Sequence, residues 1–233
     1  MRKKLLAIAL GVASLSVSAA PLDITDPRAA NIEDMVKMPV KGLQAIQSKG
    51  QIYYVSDNGR FVFSGQMIDI WQKKELNTLA QVRDATEKLN FVSLGLDVKT
   101  LNTMTLGTGK YQVTAYVDPL CTICHKLISD AKALTKDYTF NFVVVPAIND
   151  TSNVLAKKIF CAKDKTKTLD AFTNNTIKNL EQVPNCNISG YDKTLVSAQI
   201  MGVEGVPFVI APNGRFAKGY PAKMAEWLAG NQK

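Results

Sequence analysis

Two cysteines spaced C-x-x-C, in the run Cys121-Thr122-Ile123-Cys124, carry the clearest chemistry in the chain. The residues before them, Tyr111 to Val117, alternate in the manner of a strand. The residues after them place apolar side chains at 127, 128, 131 and 134, which is helix spacing. Two thiols at the start of a helix form a redox pair. The first sulfur meets the positive end of the helix dipole, which favours its thiolate and lowers its pKa. The second lies one turn on, within reach to attack a mixed disulfide and release it.

Other readings of the same residues stand beside this one. Cys121 to His125 also spells C-x-x-C-H, the pattern that holds c-type haem, and His125 is the single histidine of the chain. A zinc site using all four thiols lacks a second close pair, because Cys161 and Cys186 are far apart in sequence. An inert structural disulfide is the third rival. No metal and no cofactor is expected on the redox reading. Asp118, three residues before the motif, is either a proton acceptor near the buried thiol or a turn former with Pro119. Thr122, Ile123 and His125 are candidate modulators of the pair.

A second segment belongs with the motif. Gly205-Val206-Pro207-Phe208-Val209 puts a proline at the opening of a strand, where a missing amide proton does no harm. In a thioredoxin-type site the bond before such a proline is cis, and the loop lies against the C-x-x-C sulfurs. Its exposed backbone then pairs with a client peptide as an added strand. Val206 and Pro207 therefore join Cys121 and Cys124 as expected site residues.

The start of the chain reads as a secretory leader over 1–19: basic Arg2 to Lys4, an apolar stretch from Leu5 to Val17, and small residues up to a cut after Ala19. Export brings an oxidising compartment, in which the four cysteines pair in one of three ways. The natural partition is Cys121 with Cys124 and Cys161 with Cys186, the second pair acting as a staple. The formal charge of +8 is scattered, with no basic block interleaved with aromatics, so no nucleic-acid partner is expected.

Elements must position these residues. Residues 20–72 read as a separate small module, with a short helix over 31–38 stopped by Pro39. A hairpin over 52–64 turns at Asp57-Asn58-Gly59, and a further strand covers 66–70. So small a sheet is a marginal core and should bury a face against another copy of itself. Residues 74–90 read as a helix, either a strut between units or a surface helix on one of them. Residues 91–109 form a connector in which 101–109 is strand or loop. From 110 to 233 the expected order is strand, C-x-x-C helix, strand, an interrupted helical stretch over 152–180, a helix over 190–201, strands at 206–210 and 215–218, and a last helix with Pro221 in its first turn and Gly230 at its end. That is the thioredoxin-type order with a helical insertion. The expected fold class is α+β: an N-terminal small-sheet domain, a linker helix and a thioredoxin-like domain.

These motifs together resemble the DsbC/DsbG family of periplasmic disulfide isomerases. Pro39 to Leu43 with Ile52 to Gly59 is similar to the family's N-terminal dimerisation module. Cys121 to Leu127, reading CTICHKL, resembles its active-site helix; Phe160 to Lys165 with Cys186 resembles its structural disulfide segment; and Gly202 to Phe208 resembles its cis-proline loop. The resemblance implies a V-shaped homodimer whose two active sites face an uncharged cleft holding misfolded exported proteins. Cys121 would be the nucleophile, Cys124 the resolving thiol, and a DsbD-type membrane reductase the source of electrons. Three positions depart from the pattern. Thr122-Ile123 stands where the family commonly has Gly-Tyr or Pro-Tyr. Val206 stands where its isomerases commonly have Thr, and valine there is more like the oxidase DsbA. Asp118-Pro119 is closer to the DsbG side. A net oxidase, or a DsbG-like reductase of oxidised cysteines, is therefore the alternative direction.

Overall fold

The computed structural model describes residues 31–38, 40–70 and 72–233. The leader expected over 1–19, residues 20–30 of the expected module and the helix stop expected at Pro39 lie outside the described residues.

The first described element corrects the expected helix. Residues Ile32–Lys37 form strand β1, which pairs antiparallel with β2, Leu43–Ser48. A helix here would need an apolar stripe to bury, yet Ile32 and Met35 are exposed and Val36 is buried. The backbone of β1 finds its partners in β2 instead, with Val36 opposite Ala45. The sequence reading assigned no element to β2, which lacks a β-branched or aromatic run. Tertiary pairing makes it a strand, and Lys49 and Gly50, both at positive φ, turn it tightly into β3, Gln51–Ser56.

The hairpin expected around Asp57-Asn58-Gly59 is present. β3 pairs with β4, Val62–Phe63, through Tyr54 opposite Phe63. Strand β5, Met67–Asp69, fulfils the strand expected over 66–70. Its partner β6, Lys74–Leu76, occupies the start of the segment read as helix. The helix itself, α1, runs only Leu79–Glu87. Thr78 sets that start: its hydroxyl accepts from the Gln81 amide at 3.2 Å while the Gln81 side chain accepts from the Thr78 amide at 3.1 Å. Leu79 and Val82 of α1 pack with Leu76, Val36, Ala45 and Tyr54, so this helix closes the core of the N-terminal sheet.

The larger sheet has the order β11-β10-β8-β9-β7. Its strands are β7 Thr103–Leu106, β8 Tyr111–Val117, β9 Tyr138–Val144, β10 Phe208–Ile210 and β11 Phe216–Lys218. Only β8 and β9 pair in parallel, joined by the C-x-x-C helix; the other pairs are antiparallel. β7 lies inside the expected connector, yet it pairs with β9 and extends this sheet. Gly109 explains the tight return into β8, because a Cβ there would stand 2.1 Å from the Tyr138 amide nitrogen.

Helices cover both faces. On one, α2 (Thr122–Ala131), α3 (Asp150–Phe160), α4 (Thr168–Thr173) and α6 (Met224–Ala229) share a core with Val113, Ala115, Val117, Phe140 and Phe142. On the other, Tyr116, Val143, Phe208 and Ile210 pack against Met201 at the end of α5 (Ser189–Ile200) and against Phe91, Leu96 and Val98 of the connector. The helical stretch expected over 152–180 is broken as read, into α3, α4 and short 3-10 turns. The last helix starts later than expected: Lys223, at φ 52, caps it, and Pro221 precedes it. A left-handed residue ends helical geometry there, so Pro221 does not belong to the first turn.

Candidate active site

Cys121 is the N-cap of α2. Its backbone is extended, its carbonyl accepts from the amides of Cys124 and His125 at 3.0 and 3.1 Å, and its sulfur accepts from the Cys124 amide at 3.1 Å. The helix N-terminus thus aims an N–H at the sulfur atom, which stabilises negative charge there when the thiol is free. The two cysteines are joined in a disulfide. Cys124 is wholly buried, whereas Cys121 retains 7% exposure. Of the two sulfurs, that of Cys121 therefore lies nearer the surface.

The Val206–Pro207 bond is cis, and the Val206 carbonyl oxygen lies 3.8 Å from the Cys121 sulfur. The loop is held from behind: the Gly219 amide donates to the Pro207 carbonyl at 2.8 Å. The structure therefore brings Cys121, Cys124, Val206 and Pro207 together. Leu120 and Ile123, which flank Cys121-Thr122 in the chain, and Ile148, whose amide reaches Asp118, expose 40, 48 and 49% of their surfaces. Thr122 is exposed beside Ile123 on the first turn of α2.

His125 is half-buried, and its Nε2 lies 3.0 Å from the Pro119 carbonyl. A carbonyl only accepts, so Nε2 carries a proton. The ring stacks on Phe172 of α4 with centroids 4.7 Å apart. The haem-attachment reading needs this imidazole turned outward to meet iron; here the ring nitrogen is engaged by the turn that precedes the motif.

Asp118 is wholly buried. Its Oδ1 accepts from the Leu120 amide at 2.7 Å and the Ser152 hydroxyl at 2.8 Å, and its Oδ2 accepts from the Ala147 and Ile148 amides at 2.6 and 3.0 Å. Both oxygens are thus occupied by donors from the turn and from the segments beyond β9. Cys161 and Cys186 form the second disulfide. Cys161 caps α3, and the strand-like contact between Ala162 and Gln182 runs beside the bond. The staple closes the insertion and lies apart from the redox turn in sequence.

Ionisation around the sheet reflects burial. Desolvation pushes the Tyr116 phenol up to about 12, against a smaller opposing effect of its hydrogen bond with Ser197. Burial, helped by the negative charges of Asp118 and Asp192, pushes Tyr191 up to about 12 as well. Sequence reading missed Phe172, Ile148, Ser152 and Gly219. Each reaches the site only through folding, and no spacing rule marks them.

Comparison with known proteins agrees with this geometry. The family model for the disulfide bond isomerase protein N-terminal domain matches residues 13–80. The thiol:disulfide interchange protein DsbC of Escherichia coli K12 is 27% identical over 208 residues, covering 86% of this chain and 82% of that protein. The DsbC of Salmonella typhimurium LT2 is 27% identical over 205 residues, covering 84 and 80%. A disulfide interchange protein from Neisseria gonorrhoeae superposes with a TM-score of 0.50 at 22% identity, over 59% of this chain and 99% of that one, which supports the thioredoxin-like fold. Across both the small sheet and the C-x-x-C domain, the chain is thus similar to DsbC thiol:disulfide interchange proteins.

Proposed function

We propose that this thiol–disulfide interchange protein acts mainly as a disulfide isomerase on misfolded exported proteins in the periplasm. The observation that carries the reading is the placement of Cys121: N-cap of α2, 7% exposed, with a wholly buried Cys124 behind it and the Val206 carbonyl 3.8 Å away. In the reduced protein the Cys121 thiolate attacks one sulfur of a client disulfide. A Cys121–client bond forms, the client bond breaks, and the second client sulfur leaves as a thiolate. A client thiolate that then attacks the mixed disulfide forms a new client pair and restores the Cys121 thiolate, with no net change in electrons. If Cys124 attacks instead, the client leaves reduced and the Cys121–Cys124 disulfide forms. Two electrons must then come from outside, and a DsbD-type membrane reductase is the expected donor.

The site also supports client binding. The exposed Leu120, Ile123 and Ile148 offer an apolar rim to unfolded chains, and the Val206 carbonyl offers a strand-like hydrogen bond. The N-terminal module supports a homodimer. Its short edge strand β4 and the residue before it leave Phe61, Val62 and Phe63 exposed at 53, 42 and 56%. Sedimentation of the purified protein as a monomer at micromolar concentration would remove that part of the reading.

The test of the main claim is reactivation of scrambled ribonuclease. The parent should restore activity, and Cys121→Ala should not. Equal recovery with both proteins would overturn the mechanism. One observation favours a second direction, net oxidation or reduction of single oxidised cysteines: Val206 stands before the cis proline, as in the oxidase pattern. The steady-state redox form in cells separates the isomerase from the oxidase. An isomerase is held reduced, whereas a pair found oxidised beside an intact membrane reductase points to the oxidase.

A further inference from the structure

Asp118 has a place in the site that the exchange chemistry does not use. The carboxylate is wholly buried, and its donors come from three segments: Leu120 in the redox turn, Ala147 and Ile148 after β9, and Ser152 in the first turn of α3. A buried carboxylate without partners is unstable, so this one specifies the arrangement of its donors. The network continues outward, since Asn153, next to Ser152, accepts from the Tyr191 hydroxyl at 2.8 Å.

The same residue also meets the backbone of Cys121. Its backbone carbonyl accepts from the Cys121 amide at 3.1 Å, and the next carbonyl, of Pro119, accepts from His125 Nε2 at 3.0 Å. The turn 118–121 is thus held on one side by the Asp118 carboxylate and on the other by the redox helix. In the oxidised protein the Cys121–Cys124 bond also restrains this turn. Reduction removes that covalent restraint, which leaves the hydrogen bonds of Asp118 as the ties on this turn.

The geometry points to Asp118 as a positioning residue for thiol–disulfide interchange: its carboxylate keeps the redox turn in place so that the Cys121 thiolate stays beside the Val206 carbonyl and the Cys124 amide once the disulfide is open. This rests on the interchange reading. The same tether places Ile148 and Leu120 together, because their amides meet one carboxylate.

The experiment measures the second-order rate constant of reduced protein with oxidised glutathione, divided by the thiolate fraction read from absorbance near 240 nm. Asp118→Ala should lower this rate per thiolate about tenfold through lost orientation. Ser152→Ala, which removes one donor of the four and keeps the charge, should change it by about twofold or less. A folded Asp118→Ala that reacts at the parental rate per thiolate overturns the assignment. Should that variant fail to fold, amide exchange in the unmutated reduced protein decides. The Leu120, Ala147 and Ile148 amides should be protected about 100-fold or more, and exchange at unprotected rates overturns the tether. A parent protein inert to oxidised glutathione would defeat the interchange reading itself, an outcome distinct from an unaffected Asp118→Ala.

Discussion

The Leu89 amide donates to the Gly214 carbonyl at 2.8 Å, which joins the end of the α1 arm to the turn between β10 and β11. Lys88 bridges Arg215 alongside, and Arg215 meets Glu87 at 3.3 Å. At its other end α1 is buried in the small sheet through Leu79 and Val82. Gly214 permits the approach: its φ is +89°, and a Cβ would stand 2.6 Å from the Leu89 carbonyl oxygen. Gly214→Ala should therefore destabilise the protein by about 1–3 kcal/mol, combining backbone strain with the clash. Gly202→Ala is the control, with φ +65° but no atom within 4 Å. It should cost about 1 kcal/mol, from backbone conformation alone. Urea unfolding of the two variants compares them, and equal losses would show that the Leu89 contact contributes nothing.

Burial of Cys124 behind Cys121 predicts a trap. Cys124→Ser cannot resolve a mixed disulfide from within, so covalent client adducts should accumulate on non-reducing gels. Cys121→Ser should form none. Adducts of similar yield on the Cys121→Ser protein would assign the nucleophile to the wrong sulfur.

The Cys161–Cys186 bond spans 25 residues of sequence. By loop entropy its removal in a Cys161→Ser/Cys186→Ser protein should cost about 3 kcal/mol. The redox pair should keep its reactivity with small disulfides wherever the variant remains folded. Chemical denaturation and a glutathione exchange assay on one preparation check both statements.

Tyr116 and Tyr191 predict the alkaline limit. Each phenol is raised in the folded state, to about 12 against an ordinary 10.0. Between those values the unfolded chain loses protons that the folded one keeps, so their contribution is intact below pH 10 and is lost as pH rises towards 12. For Tyr116 the change is on the order of 2–3 kcal/mol. Tyr116→Phe should flatten the fall in stability over this interval, while Ser197 keeps its bond to the Thr194 carbonyl at 2.7 Å. An unchanged slope would mean that the phenol titrates alike in both states.

The sequence alone determined the chemistry and most of the larger domain. A C-x-x-C pair before a helical period is a local signal, as are the strand-opening Pro207 and the turn at Asp57-Asn58-Gly59, because each depends on a few neighbouring residues. The pattern from 110 onward was legible for the same reason: seven-residue strands and amphipathic helices announce themselves within one window. Tertiary structure decided what local windows cannot contain. It made 32–37 a strand by pairing it with a β2 of weak propensity, and moved 74–76 from helix to hairpin because the Thr78 cap and β5 together outweigh the apolar spacing. It added β7 to the large sheet through contacts with β9 some forty residues away in the chain. It also gathered the donors around Asp118. Those donors lie on segments that meet only when the chain is folded, so no local window of sequence contains them.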